Sequence, residues 1–199
     1  MANLITLFRL ISIFIIAAIA LYAETIWQFL NAPLIIINIL LDGLDGIIAR
    51  KRREDTVFGA VFDIAADRII EITLWVVLAQ LNAVPIWIPL IFLTRGVLVD
   101  SLRKPHTNQG NMPFSIMKTS LGKFLVGGRF ARFASGFIKL VTFSWLFFLI
   151  PASEVWPQVF VTYNTLFNYI SSFLIYMSVA ICLARGLPVI SEAVLCKKR

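Results

Sequence analysis

Long apolar stretches separated by short polar breaks dominate this sequence. They predict six membrane helices, at approximately 10–22, 32–50, 57–81, 85–102, 134–150 and 162–184. The run from Val57 to Leu81, for example, exceeds the ~20 residues that a helix needs to cross the hydrocarbon core of a bilayer. The pattern therefore predicts an all-α integral membrane protein in which residues 1–199 form one domain of six transmembrane helices.

The first apolar run allows two interpretations. Small residues at Ala18, Ala20 and Ala23 near its end would suit a cleaved signal peptide. A signal peptide normally begins with several cations, however, and only Arg9 precedes this run. We therefore favour a retained first helix that is preceded by an N-terminal interfacial segment.

Composition and charge support the membrane assignment and predict its orientation. The chain is 59% hydrophobic and 15% charged, which is far more apolar than a soluble domain. The predicted loops 23–31, 82–86 and 151–161 contain no Lys or Arg. Because basic residues concentrate on the cytoplasmic side, these loops should be external and both termini cytoplasmic. The net charge of +7 then suits anionic lipid headgroups, and we expect no nucleic-acid partner.

Four carboxylates interrupt the apolar pattern in the second and third predicted helices. Asp42 and Asp45 are three residues apart, and Asp63 and Asp67 are four apart, so each pair shares one helix face. The basic turn 50–53 lies between the pairs and predicts a return at the cytoplasmic surface. Two antiparallel helices would direct all four acids at one place, where their mutual repulsion requires a cation. Since Mg²⁺ prefers oxygen ligands and recruits phosphates, the sequence predicts a metal site for a phosphate-bearing substrate.

Other roles for these acids remain open. Some of them could pair with Arg50 or Arg68 or lie in water at helix ends, and Glu71, four residues after Asp67, could pair with Arg68 or support the metal site. A cation-binding membrane transporter would also place acids within membrane helices. Transporters often show internal repeats and helices interrupted near the midplane, and we find neither pattern in this sequence.

The same residues resemble the signature of the CDP-alcohol phosphotransferases, a family of membrane enzymes of phospholipid synthesis. The pattern D-x-x-D-G-x-x-A-R, eight residues, then G-x-x-x-D-x-x-x-D is met by Asp42, Asp45, Gly46, Ala49, Arg50, Gly59, Asp63 and Asp67. The resemblance implies a reaction in which an alcohol displaces CMP from a CDP-linked lipid with the help of two Mg²⁺ or Mn²⁺ ions. It also implies a homodimer in the bacterial inner membrane with its active site facing the cytoplasm.

The resemblance further implies roles for individual residues. Asp42, Asp45 and Asp63 would be metal ligands, and Asp67 would be a ligand, the general base for the hydroxyl proton, or both. Asp63 and Asp67 are thus the expected catalytic pair. An N-terminal N-x-x-T-x-x-R sequence resembles the start of bacterial family members and adds to the expected CDP-lipid site, whose residues are Asn3, Thr6, Arg9, Gly46, Ala49, Arg50 and Gly59.

Cations beyond the acidic motif predict a phosphorylated acceptor. Arg95 lies inside an apolar segment, where a cation is costly and should face an anion, and Arg103 follows on roughly the same helix face. Guanidinium groups bind phosphate in a bidentate fork, whereas choline, ethanolamine or serine would not need them. The other cations expected at this site are Lys118, Lys123, Arg129 and Arg132.

This arrangement resembles that of the bacterial family members that use glycerol 3-phosphate. Thr94, Arg95 and Arg103 form a T-R-x7-R pattern, which a Gln-Gly turn and a basic stretch follow. The expected reaction is therefore transfer of a phosphatidyl group from CDP-diacylglycerol to glycerol 3-phosphate. The chain departs from those members at Gly122-Lys123, where they usually have G-K-x-K-T. The alternatives are an inositol phosphate or another polar alcohol as the acceptor, or cations that contact only lipid headgroups.

Overall fold

Helices account for nearly all of the part of the chain that the computed structural model describes, which is residues 2–52, 57–107 and 129–196. None of these residues lies in a strand. The helices are α1 (Ala2–Tyr22), α2 (Thr25–Gln28), α3 (Asn31–Arg52), α4 (Val57–Gln80), α5 (Trp87–Thr107), α6 (Arg129–Val155) and α7 (Pro157–Cys196). The all-α prediction is therefore confirmed for the described residues.

Within residues 2–52, 57–107 and 129–196, four segments are long and apolar enough to cross a membrane: Leu4–Tyr22, Thr25–Asp42, Phe133–Val155 and Pro157–Ser191. Large hydrophobic side chains are also exposed along these helices, as lipid contact requires. The two other long helices of the described residues, α4 and α5, carry several charged residues, so composition alone does not identify them as membrane-spanning. The chain thus has the character of an integral membrane protein, and the six-span arrangement with cytoplasmic termini stays a prediction.

Several helix ends differ from the predicted ones because prolines lie inside helices. The predicted external loop at 151–161 is wrong: α6 continues through Pro151 to Val155, and Trp156 alone separates it from α7. The predicted stop at Ala184 is also wrong, because α7 continues past Pro188. Membrane helices tolerate proline where neighbouring groups satisfy the freed carbonyls. Similarly, α5 extends to Thr107, beyond its predicted end near Leu102.

One compact unit of the fold contains the chain up to Pro89 together with Leu140–Ser171. In this unit α1 packs against both α3 and α4. Ile13 of α1, Ile35 of α3 and Leu74 of α4 are almost completely buried, and apolar burial of this kind supports helix packing. Because α1 contacts both neighbours, polar residues near its N-terminus can meet the acidic residues of α3 and α4.

A second compact unit contains Leu90–Lys139 and the chain from Ser172 onward. Val99 and Val189 are buried against each other, and the partly buried Ile190 packs on them. The Lys139 ammonium lies 5.8 Å from the centre of the Phe92 ring, within the range of a cation–π contact. This unit also contains Arg95. The prediction of a single domain stays a prediction.

Candidate active site

Three of the four predicted acids come together where α3 and α4 lie beside α1. One carboxylate oxygen each from Asp42, Asp63 and Asp67 lies within 4.8 Å of the others. Asp63 and Asp67 share a face of α4 because one helical turn separates them. The side chains of Asp42, Asp63 and Asp67 are 40–47% exposed, so a ligand can reach the carboxylates, although Asp63 Oδ1 itself is buried. We call these three residues the acidic cluster.

Arg9 of α1 inserts its guanidinium group into the acidic cluster. Its Nη1 lies 2.7 Å from Asp42 Oδ1, and its Nη2 donates a hydrogen bond of 2.9 Å to Asp67 Oδ1. Asp63 Oδ1 lies farther away, 3.7 Å from Nη1. The Arg9 side chain is only 3% exposed. A buried cation therefore offsets the repulsion among three partly exposed carboxylates.

Asn38 of α3 holds Arg9 in this position. Arg9 Nε donates to the Asn38 carbonyl oxygen at 3.2 Å, and Asn38 Nδ2 donates back to the Arg9 carbonyl oxygen at 3.0 Å. Asn38 Nδ2 also donates to Ser12 Oγ at 2.6 Å. These reciprocal bonds join α1 to α3. Sequence reasoning missed Asn38, although a signal exists: it is a polar residue in an apolar helix, one turn before Asp42.

The donor set of the acidic cluster fits a hard divalent cation. Three carboxylates offer the oxygen ligands that Mg²⁺ and Mn²⁺ prefer, and their separation allows one cation to contact several of them. Asp63 Oδ1 is buried and accepts no hydrogen bond from the described residues, so its lone pairs are available for a metal. Asp45 lies one turn after Asp42 on α3, and its side chain is outside the described set.

The predicted CDP-lipid residues lie on the same three helices. Thr6 is buried on α1, three residues before Arg9, and Gly59 lies one turn before Asp63 on α4. The remaining predicted residues lie on α1 and α3, with side chains outside the described set: Asn3, Gly46, Ala49 and Arg50. The structure therefore brings Arg9 to the acidic cluster through α1, and the binding roles of the set stay predictions.

Glu71 and Arg68 form an ion pair on α4. Arg68 Nη1 donates to Glu71 Oε2 at 2.9 Å, and Glu71 is buried. Pairing with Arg68 is one of the two roles that the sequence predicted for Glu71, the other being support of the metal site. It lies within one helix, three residues apart, so it stabilises α4 locally.

The second unit places Arg95 of α5 against α7. A Cβ atom built on Gly186 would lie only 2.7 Å from Arg95 Cγ and 3.0 Å from Arg95 Nε. The absence of a side chain at Gly186 therefore leaves the space that Arg95 occupies. Arg185, the preceding residue of α7, donates from Nη1 to the Ser135 hydroxyl of α6. A second arginine, Arg185, therefore precedes Gly186, the residue that lies against Arg95.

Sequence reasoning missed Arg185 because it treated Arg185-Gly186-Leu187-Pro188 as the end of the last helix. The available signal was the cost of a cation within an apolar helix, the same argument that identified Arg95. Arg103 of α5 and Arg129 and Arg132 of α6 have side chains outside the described set, and Lys118 and Lys123 lie outside the described residues.

Comparison with known proteins identifies the family. The model of the CDP-alcohol phosphatidyltransferase family matches residues 1–190, so the chain belongs to this family and the resemblance inferred from the acidic motif is confirmed. Two curated relatives are each named CDP-diacylglycerol–glycerol-3-phosphate 3-phosphatidyltransferase. The protein from Wigglesworthia glossinidia brevipalpis is 36% identical over 104 residues, which cover 50% of this chain and 56% of the relative. The protein from Bacillus subtilis (strain 168) is 26% identical over 141 residues, which cover 71% and 72% of the two chains.

Proposed function

We propose that this chain transfers the phosphatidyl group of CDP-diacylglycerol to glycerol 3-phosphate and releases CMP. Membership of the CDP-alcohol phosphatidyltransferase family supports the reaction type, and the names of the two relatives support the acceptor. The observation that carries the proposal is the convergence of Asp42, Asp63 and Asp67 within 4.8 Å. Such a cluster is suited to holding the cations that a diphosphate substrate requires.

In this proposal the acidic cluster holds Mg²⁺ or Mn²⁺, with Asp45 as a further ligand and with two ions expected from the family. The bound cations would neutralise charge on the diphosphate and polarise its phosphorus–oxygen bonds. The acceptor hydroxyl oxygen forms a bond to the phosphorus that bears the lipid, and the bond from that phosphorus to the CMP oxygen breaks. Asp67 would accept the hydroxyl proton as the general base, the role that the family resemblance implies, and it could also bind a cation.

The nucleotide part of the lipid substrate is assigned to the surfaces of α1, α3 and α4 around the acidic cluster. Gly59 lacks a side chain one turn before Asp63, which allows close approach to the backbone of α4. Thr6 and Arg9 contribute donors from α1. The other residues proposed for this site, on sequence grounds, are Asn3, Gly46, Ala49 and Arg50.

The phosphate of the acceptor is assigned to the second unit. Arg95 and Arg185 provide two guanidinium groups, and each can form a bidentate pair with phosphate oxygens. The partly buried Lys139 carries a further positive charge in the same unit. The sequence adds Arg103, Lys118, Lys123, Arg129 and Arg132 to this proposal.

The membrane arrangement follows from the same proposal. Six spans with both termini in the cytoplasm would place the acidic cluster near the cytoplasmic surface, where glycerol 3-phosphate is available. Anionic headgroups would then contact the basic segments that contribute to the net charge of +7. We assign the protein to the bacterial inner membrane and, by analogy with its family, to a homodimer.

An acceptor panel tests this function. Purified protein is mixed with CDP-diacylglycerol, Mg²⁺ or Mn²⁺, and glycerol 3-phosphate, glycerol, inositol phosphate or serine, and CMP release is measured. We expect CMP with glycerol 3-phosphate, little with unphosphorylated glycerol, and none when EDTA removes the cations. Release with inositol phosphate instead would support the sibling enzyme, and no release with any acceptor would contradict the phosphatidyltransferase proposal.

A further inference from the structure

The guanidinium group of Arg9 lies among the carboxylates of the acidic cluster. Its two terminal nitrogens lie 2.7 and 2.9 Å from oxygens of Asp42 and Asp67, two residues of the proposed metal site. The arginine side chain is 3% exposed, whereas the two carboxylates are 40% and 47% exposed. The cation is therefore the buried partner, and the acids are the partners that an incoming ligand can reach.

Asn38 anchors Arg9 independently of the acids. Arg9 Nε donates to the Asn38 backbone oxygen, and the Asn38 amide donates to the Arg9 backbone oxygen. Both residues are 2% exposed. Since neither bond involves a carboxylate, α1 can stay joined to α3 when the contacts of Nη1 and Nη2 change. The guanidinium is thus fixed at Nε and can exchange partners at its outer end.

We propose that Arg9 is an internal counter-cation that competes with divalent cations for Asp42 and Asp67. The inference rests on the proposed metal site and deepens it. A divalent cation and the guanidinium group would bind the same two carboxylates, and their like charges would repel each other there. Cation binding therefore transfers Asp42 and Asp67 from Arg9 to the metal, and it frees Nη1 and Nη2 for an anionic group of the substrate.

This competition has two consequences for the protein. With Arg9 in place, the repulsion among the three carboxylates is partly offset when cation is scarce, because the arginine carries the opposite charge. The cost is a weaker affinity for metal, since the bound cation must displace an existing ion pair. Removing the positive charge of Arg9 should therefore tighten metal binding and weaken the fold when no divalent cation is added.

A binding titration tests the competition without measuring activity. The full chain is purified in nanodiscs, and free Mn²⁺ is followed by its electron paramagnetic resonance signal. We expect Arg9→Gln to bind Mn²⁺ about tenfold more tightly than the wild type. Arg68→Gln is the matched control, because it removes a cation of α4 that pairs with Glu71, and its affinity should stay close to that of the wild type.

Thermal unfolding provides a second measurement. In EDTA, Arg9→Gln should unfold at a lower temperature than the wild type, and added Mg²⁺ should raise its midpoint more than it raises that of the wild type. If Arg9→Gln does not fold, Arg9→Lys replaces it in the titration. A lysine ammonium does not span two carboxylates as the fork of arginine does, so we expect about two- to threefold tighter Mn²⁺ binding.

The outcomes separate this inference from the proposed function. Unchanged or weaker Mn²⁺ binding by the folded Arg9 variant would overturn the competition, even if the wild type binds Mn²⁺ and releases CMP. Binding by the variant but not by the wild type would support it. If neither protein binds Mn²⁺, the competition is overturned. Failure of CMP release in the acceptor panel would instead overturn the enzyme proposal.

Discussion

The acidic cluster and the arginines of the second unit both place like charges on long helices, but different contacts position them. In the acidic cluster, a buried opposite charge positions the carboxylates, because Arg9 contacts Asp42 and Asp67 at 2.7 and 2.9 Å. In the second unit, Arg95 fits against the bare backbone of Gly186, and Arg185 donates to the Ser135 hydroxyl. The first arrangement depends on charge and the second also depends on available space.

The difference predicts how each region responds to substitution. Removing a carboxylate from the acidic cluster removes a proposed metal ligand, so the effect on activity should be large. Filling space in the second unit only displaces a flexible arginine, so the effect should be smaller. The difference also explains why the acidic cluster was accessible to sequence reasoning and part of the basic region was not.

The largest expected effect is at Asp63, whose Oδ1 accepts no hydrogen bond from the described residues. We expect Asp63→Asn to lower kcat by about 100-fold or more, because an amide is a poor ligand for a hard cation and charge stabilisation at the phosphate is lost. CMP release measures the effect, and a thermal unfolding curve shows whether the variant is folded.

Glu154→Gln is the matched control for this substitution. Glu154 is a carboxylate on α6 that accepts a hydrogen bond from Thr25 at 2.6 Å, in an exposed position outside the acidic cluster. A glutamine can accept the same bond, so kcat should stay close to that of the wild type. Near-normal turnover by Asp63→Asn would remove Asp63 from the metal site.

A smaller and more selective effect is expected at Arg95. We expect Arg95→Ala to raise the KM for glycerol 3-phosphate by about tenfold, because a charge-assisted bond to the acceptor phosphate is lost. The KM for CDP-diacylglycerol should change much less. Arg95→Lys keeps the charge but not the planar fork, so its KM for glycerol 3-phosphate should lie between those of the wild type and of Arg95→Ala. Equal increases in both KM values would place Arg95 outside the acceptor site.

The acidic cluster could be predicted because helical spacing aligns its acids and because the two helices that carry them are adjacent in the sequence. The spacings of Asp42 with Asp45 and of Asp63 with Asp67 are local, and a helical periodicity places each pair on one face. The structure brings three of these residues together as that pattern predicts. The family was identified from the same residues.

The partners of the cluster could not be predicted in the same way. Arg9 is 29 residues from Asn38 and 58 from Asp67, and these contacts exist only because α1 packs on α3 and α4. Sequence reasoning therefore assigned Arg9 to the lipid-nucleotide site and missed its contact with the acids. The helix ends at Pro151 and Pro188 were mispredicted for a related reason, since tertiary contacts decide whether a proline ends a membrane helix.

The smallest effect compares two glycines of the second unit. A Cβ on Gly186 would approach Arg95 Cγ to 2.7 Å, whereas a Cβ on Gly136 would meet nothing within 4 Å. We expect Gly186→Ala to raise the KM for glycerol 3-phosphate by about threefold, because Arg95 must adopt a less favourable rotamer. Gly136→Ala should leave this KM unchanged. If the two variants behave alike, the space beside Gly186 does not position Arg95, and the proposed contrast with the charge-dependent acidic cluster fails.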